Sequence, residues 1–505
     1  MGWRWLSINI RFKFLRERDW PIYVFYLDGG IGVKKEKDNK TKTKSSKNIF
    51  AQMKDWFAFF PKAFVKGDAL TKLSFVIMGS SNLFRGQIFK GLLFLLIEIS
   101  YVFYLVTAGI SSFTGLVTLG TKEQGMVMDE ELGIFTIQQG DNSMLMLLAG
   151  VVAISTTVIF IFMWRANIKS AYSVQLIKKS GNKVPSLKED IARYFNSDLH
   201  KSLLALPLTG IFLFNLLPLF FMILIAFTNF DNSHQPPGNL FTWVAFENFY
   251  KILLSGEIIA KTFWPVLGWT IIWAVFATFL NYILGILLAL LINREGVKFK
   301  EFWRTIFVLS IAIPQFVSLL IFKLMLNNSG PVNELLRQLG FLGEGEFLPF
   351  LTNPTWARVT VIVVNLWVGI PHTMLIVTGV LSNIPRELYD AAKVDGAGPL
   401  AIFFKILMPY IVFVTQPQLI TQFIGNINNF NVIYFLTGGG PNTLDYYQAG
   451  KTDLLVTWLY KLTTGSMKDY NYASTIGILV FIISATFSLL AFHRTSSYKS
   501  EEEFQ

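Results

Sequence analysis

Eight long apolar runs recur along the chain, at about residues 91–111, 143–164, 203–228, 264–292, 305–326, 359–381, 410–436 and 473–492. Each is of the order of the 20 residues that an α-helix needs to cross roughly 30 Å of hydrocarbon. Lipid offers no water to backbone amides and carbonyls, so segments of this length cross it as helices. The fold class expected is therefore all-α: a polytopic membrane protein with about eight transmembrane helices. The fifth run carries Pro314 and Gln315, which would leave polar groups unpaired against lipid, and this places it inside the bundle. Composition agrees, since a chain that is 52% hydrophobic and 15% charged would expose large apolar patches as a water-soluble globule.

Lysine and arginine set the orientation. With the amino terminus cytoplasmic, 35 of the 44 basic residues fall on the inner side and 7 on the outer, with Lys323 and Arg358 near span boundaries. That bias puts both termini inside, and with them residues 387–409. It also accounts for the formal charge of +11 without a nucleic-acid partner. Residues 34–48, KKEKDNKTKTKSSKN, read as a polar linker or a strap on anionic lipid. Residues 50–90 mix Trp56, Phe57, Phe59 and Phe60 with lysines and read as an interfacial helix on the inner leaflet. No apolar run precedes Gly91, so a cleaved signal peptide is not expected. With no cysteine, disulfides, thiolate metal sites and cysteine nucleophiles are excluded.

The segment after the sixth run combines turn and helix signals. Pro385 favours a helix start, Glu387 suits its positive end, and residues 386–394 carry Leu388, Ala391, Ala392 and Val394 among charged neighbours. Gly396 and Gly398 permit a sharp turn, and Pro399 starts a second helix, so the segment reads as a knob of two short helices. The two small alanines would let another protein approach the backbone. The spacing Asp390-Ala391-Ala392, three residues, Gly396, nine residues, Ile406-Leu407-Met408-Pro409 resembles the EAA signature of bacterial ABC import permeases, with Asp390 in place of glutamate and Met408 in place of leucine. Further strings, among them Asn365-Leu366-Trp367-Val368-Gly369, Asn428-Asn429-Phe430, Gly439-Gly440-Pro441 and Thr452-Asp453-Leu454, resemble the MalF type of maltose and maltodextrin permease over about residues 203–495.

The resemblance implies a six-helix permease core at 203–495, with its docking loop at 384–409. Accessory spans at 91–164 and a basic cytoplasmic loop at 165–202 would precede it, after a basic amino-terminal segment at 1–90. It implies that Glu387, Asp390, Ala391, Ala392, Gly396 and Pro409 couple the chain to a separate ATPase, which would hold ATP and magnesium. The other implied partners are a second homologous permease, a second ATPase copy and an extracellular solute-binding protein. The outer segment 229–263 is too short for the large domain of the enteric member. It looks like the compact Gram-positive form, served by a lipid-anchored receptor.

Two polar stripes lie in the spans flanking this loop. Asn365, Gly369 and His372 recur at i, i+4 and i+7, as do Gln422, Asn426 and Asn429, so each set shares a helix face. Amides match sugar hydroxyls and a glycine admits a ring close to the backbone, while Trp367 and Phe430 offer apolar or stacking contact. Interhelical hydrogen bonding is the alternative. The MalF resemblance favours substrate binding at these six positions, although it expects an aromatic ring at 372 and a hydroxyl at 422. Its substrate would be a neutral oligosaccharide, maltodextrin first and galacto-oligosaccharide second.

Other function classes find little support. Gly450-Lys451-Thr452 lacks the earlier glycine of a phosphate loop, with Asp445 in its place, and lies outside. The histidines His200, His234, His372 and His493 are scattered, so no metal or catalytic site is expected. An ion-coupled secondary transporter would need buried ionisable groups, for which Glu98 and Lys323 are the clearest supply. It would often carry inverted repeats too, and none is evident. A membrane enzyme would cluster carboxylates or histidines near one membrane face, and no such cluster is visible.

Overall fold

A computed structural model describes residues 49–129, 134–294 and 296–493. The basic stretch 34–48 lies outside the described residues. The chain divides into two compact units, Met1–Val65 and Lys66–Gln505. In the first, which holds all but the last residue of helix α1 (Ile49–Lys66), Trp56 lies edge-on to Phe57 and Phe60 at 4.8 and 5.4 Å.

The continuous helix expected over 50–90 ends at Lys66. Residues 68–87 instead form a hook of two short helices, α2 (Ala69–Leu73) and α3 (Ser80–Phe84), organised by a buried arginine. The Arg85 guanidinium donates to both Asp68 carboxylate oxygens at 2.6 Å and to the Ala171 carbonyl at 2.9 Å. Asn167 fastens the hook by donating to the Ser74 carbonyl and accepting from the Gly79 amide, both at 2.8 Å. The first span, α4 (Ile88–Thr118), follows. A hairpin of β1 (Gly125–Asp129) and β2 (Ile134–Gln138) then interrupts the otherwise helical chain, pairing Met126 with Ile137 and Met128 with Phe135.

The second span, α5 (Ser143–Lys179), is 37 residues long and about 55 Å at 1.5 Å per residue, well beyond the hydrocarbon. Its extension buries Asn167, Ile168, Ala171 and Val174 along one face, which explains why helix continues past the apolar run. Helix α6 (Leu187–Phe195) starts at a capping box of Ser186 and Glu189. The third span, α7 (Leu199–Ile225), exposes Leu206 and Phe214 at 82% and 79%, side chains that lipid would solvate.

After α8 (Glu247–Leu253) comes α9 (Ile258–Asn293), the most buried of the spans. The fifth run is two helices, α10 (Lys300–Ala312) and α11 (Gln315–Met325), bent by 87°. The break is at Ile313-Pro314: proline has no amide hydrogen to donate and holds the residue before it extended, with Ile313 ψ at 129°. Helix α12 (Pro331–Gln338) leads to the sixth span, α13 (Pro354–Ser382), and then to α14 (Arg386–Val394). The seventh span, α15 (Pro399–Ile427), starts earlier than its apolar run and ends at Asn428–Phe430, so that α16 (Asn431–Leu436) is a separate helix. Helix α17 (Leu455–Thr464) and the eighth span, α18 (Tyr470–His493), complete the described chain.

Three apolar clusters share α9. Phe263 packs with Trp458 and Ile476, Trp273 with Val364 and Leu454, and Ile286 with Met374 and Ile411. The segment joining α16 to α17 is held by Asp453, 1% exposed, which accepts from the Gly450 amide at 2.7 Å, Thr457 Oγ1 at 2.9 Å and Lys461 Nζ at 2.6 Å. Nearby, burial pushes the Asp469 carboxyl above the usual carboxylate range, against hydrogen bonds from Tyr447 and Gln448 that draw it down. Asp453→Ala would strip Thr457, the Gly450 amide and the partly exposed Lys461 of this acceptor, and leaving buried donors unmet costs about 1–3 kcal/mol. The purified chain should accordingly melt well below wild type, and an unchanged midpoint would contradict the clasp assigned to Asp453.

Candidate functional site

The polar stripes and the loop between them hang from α9, α13 and α15. Asn353 caps α13 by accepting from the Thr355 and Trp356 amides, which fixes where the helix begins. Further along, Gly369 abuts Asn281 of α9 so closely that a Cβ at 369 would collide with the Asn281 amide. One turn on, Gly285 of α9 is equally tight against Thr373. Small residues thus let α9 and α13 meet nearly backbone to backbone.

This seam holds unpaired polar groups. Asn281 donates to the Ala277 carbonyl at 2.6 Å, but its Oδ1 has no partner, nor do Asn365 Nδ2 and Thr373 Oγ1 among the described residues. Asn365 is 7% exposed. A buried amide normally finds a partner, and leaving one unmade costs about 1–3 kcal/mol. Gly369 is half-buried and His372 is exposed, so the stripe on α13 runs from the seam outward.

The second stripe is differently employed. Asn426 is buried and its side-chain amide donates to Thr278 Oγ1 at 2.9 Å, while its main-chain carbonyl accepts from Trp273 Nε1 at 3.1 Å. Asn429 accepts from the Val432 amide at 3.2 Å and so anchors the start of α16. Gln422 is half-buried within α15. Thr278 and Asn281 lie one turn apart on α9 and connect the two stripes. Neither was singled out in sequence, although a lone asparagine in the apolar run YILGILLALL and its approach is the kind of signal that marks such a position. The aromatic rings offered for stacking each meet another ring of the chain, and Trp367 remains half-exposed. Trp367 is edge-on to Phe322 of α11 at 5.9 Å and lines an apolar cavity of about 580 Å³, and Phe430 stacks on Tyr434 at 4.7 Å.

The loop folds as one helix and one turn. Helix α14 spans Arg386–Val394 with Glu387 in its first turn, and Gly396 turns the chain at φ +77°, a conformation that a side chain disfavours. The expected second short helix is the beginning of α15 itself. The two alanines also part company: Ala392 is buried with Ile384, Ile402 and Leu407, whereas Ala391 is exposed. Glu387, Asp390, Gly396 and Pro409 are exposed too, beside Leu388 at 47% and Val394 at 87%. The outward surface of α14 is therefore a small mixed charged and apolar patch, which includes the exposed Lys393, carried on a core that reaches both α13 and α15.

The profile of the family described as binding-protein-dependent transport system inner membrane component matches residues 281–497. The maltodextrin transport system permease protein MdxF of Bacillus subtilis strain 168 is 36% identical over 433 residues, 85% of this chain and 95% of that protein. The galactooligosaccharides transport system permease protein GanP of the same strain is 34% identical over 428 residues, 84% of this chain and 97% of that one. Among solved structures, a chain of the bacterial alginate ABC transporter in complex with an alginate pentasaccharide-bound periplasmic protein aligns with TM-score 0.50 at 22% identity. That alignment covers 62% of this chain and 98% of the other, and it speaks to the fold.

The stripes differ in what a leucine would do. Asn365→Leu removes a buried amide that bonds to nothing described, so the melting point should hold or rise. Asn426→Leu breaks the bond to Thr278 and should lose about 1–3 kcal/mol. Thermal unfolding of both purified variants separates them, and equal losses would contradict the difference.

Proposed function

Because the chain belongs to the family of binding-protein-dependent transport system inner membrane components, and within it to the MalF-type carbohydrate permeases of ABC importers, we propose that it forms the sugar pathway of a maltodextrin importer. The observation that carries this reading is the unpartnered Asn365 on the same helix, α13, that leads directly into the exposed face of α14. A sugar hydroxyl supplies the acceptor that Asn365 Nδ2 lacks, with Gly369 and His372 on the same face of α13 and Gln422, Asn426 and Asn429 forming the second stripe. ATP hydrolysis belongs to a separate ATPase, which holds ATP and magnesium and docks on Glu387, Asp390, Ala391 and Gly396, with Pro409 at the foot of α15.

Coupling follows from packing. Ala392 sits in one cluster with residues of α9, α13 and α15, so a push on α14 reaches both stripes as a rigid-body movement. The complex contains this chain, a second permease, two ATPase copies and an extracellular receptor, lipid-anchored in a Gram-positive cell membrane, with both termini of this chain cytoplasmic. Residues 203–495 are the core and 91–164 accessory spans. The similarity to GanP supports galacto-oligosaccharide as the second reading of the substrate.

The reconstituted complex with its receptor tests both halves. Gly396→Trp should lower maltotriose-stimulated ATP hydrolysis and uptake at least tenfold while the subunits still assemble, and unchanged rates would sink the coupling role. Asn365→Leu should cut uptake in a complex that assembles and melts normally, and wild-type uptake would remove Asn365 from the pathway. Faster uptake of a galactotriose than of maltotriose would favour the second substrate.

A further inference from the structure

Arg358 stands apart from all of this. It lies in the second turn of α13, at the end remote from α14. Its Nε donates to the Lys451 carbonyl at 3.0 Å, and its guanidinium carbon is 4.9 Å from the centroid of the Trp269 ring. Trp269 is itself fixed, since its Nε1 donates to the Thr452 carbonyl at 3.1 Å. The guanidinium is thus held at one edge, and among the described residues no carboxylate pairs with it and no acceptor meets its two terminal nitrogens. Lys451, the neighbouring cation, is occupied by Asp445 at 3.5 Å and the Tyr446 ring at 3.8 Å.

Below Arg358 runs a trough of about 450 Å³ between α9 and α13, walled by Trp269, Phe276, Leu280, Ile362 and Val363, with no acidic residue in its lining. Depth is set by length. At 29 residues α13 is about 43 Å long, against roughly 30 Å of hydrocarbon, so about four residues project at each end. Arg358, the fifth residue, stands at the hydrocarbon boundary, and Ile362 and Val363 are a turn deeper.

We infer that this trough binds a membrane phospholipid, with its phosphate on Arg358 and an acyl chain along Phe276, Leu280 and Val363. A guanidinium with both terminal nitrogens free at a membrane boundary matches the bidentate geometry of a phosphate. A neutral sugar leaves the charge uncompensated, and an apolar trough rejects its hydroxyls. The ligand must therefore be anionic at one end and hydrocarbon below, and the leaflet remote from α14 supplies such molecules. Neither Asn281 nor Asn365 lines this trough, and the site does not depend on which sugar is carried.

The assembled importer, purified in detergent, is titrated with phosphatidylglycerol and bound lipid is counted by native mass spectrometry. Diacylglycerol and inorganic phosphate serve as probes of the two halves. Wild type should retain one phosphatidylglycerol more than Arg358→Gln, which loses the phosphate contact, and more than Val363→Trp, which fills the trough and keeps the arginine. Affinity in each variant should fall at least tenfold, and neither diacylglycerol nor phosphate should saturate the site alone. Subunit stoichiometry shows that the variants assemble. Equal retention in wild type and either variant overturns the site, as does diacylglycerol binding as tightly as phosphatidylglycerol. Retention by the isolated chain but not by the assembled importer overturns it too, because a second permease then covers the trough.

Discussion

The close approach of α9 and α13 is the constraint on which the rest of the core depends. In lipid, helices gain little from burying apolar surface against one another, since the surrounding tails are equally apolar, and packing by small residues takes over. Gly285 under Thr373 and Gly369 under Asn281 provide that packing at two successive turns. Tight contact has a consequence for polarity: Asn281 Oδ1, Asn365 Nδ2 and Thr373 Oγ1 lie buried along this seam without partners among the described residues. The seam that holds the bundle together is thus also where hydrogen-bonding capacity is stored.

Both ends of the molecule are tied to the same pair of helices. On the outer side in the proposed orientation, Trp269 and Arg358 reach from α9 and α13 to the carbonyls of Thr452 and Lys451, and the Asp453–Lys461 pair holds that segment in shape. At the opposite end, Asn293 of α9 donates to Thr378 Oγ1 at 3.1 Å, and Ala392 of α14 is packed between α13 and α15. A displacement of α14 therefore has little slack to absorb it before reaching the amides, because close-packed contacts transmit movement instead of yielding.

Much of this was legible in the sequence because membrane length is an absolute measure. A run of about 20 apolar residues specifies a spanning helix whatever it packs against, so every expected span has a helical counterpart, the fifth as a bent pair. Local chemistry was equally readable at α14, where Pro385 and Gly396 bound a helix of the expected extent, 386–394. Where packing competes with local signals, the reading went astray. Residues 68–87 form a hook because Arg85 and Asn167 find partners distant in sequence, and α5 outlasts its apolar run because its extension is buried by that hook.

At the candidate site the division is sharper. Spacing alone placed Asn365, Gly369 and His372 on one face of a helix, and Gln422, Asn426 and Asn429 on one face of another. It could not say which faces would meet. Only the tertiary structure gave Asn426 to Thr278, set Asn281 where a side chain at 369 would be, and left Asn365 Nδ2 without a partner among the described residues. Helical periodicity fixes where a side chain lies around its own axis, but a hydrogen bond needs a second helix at a particular depth and rotation, and those are set by glycine contacts scattered over the whole bundle.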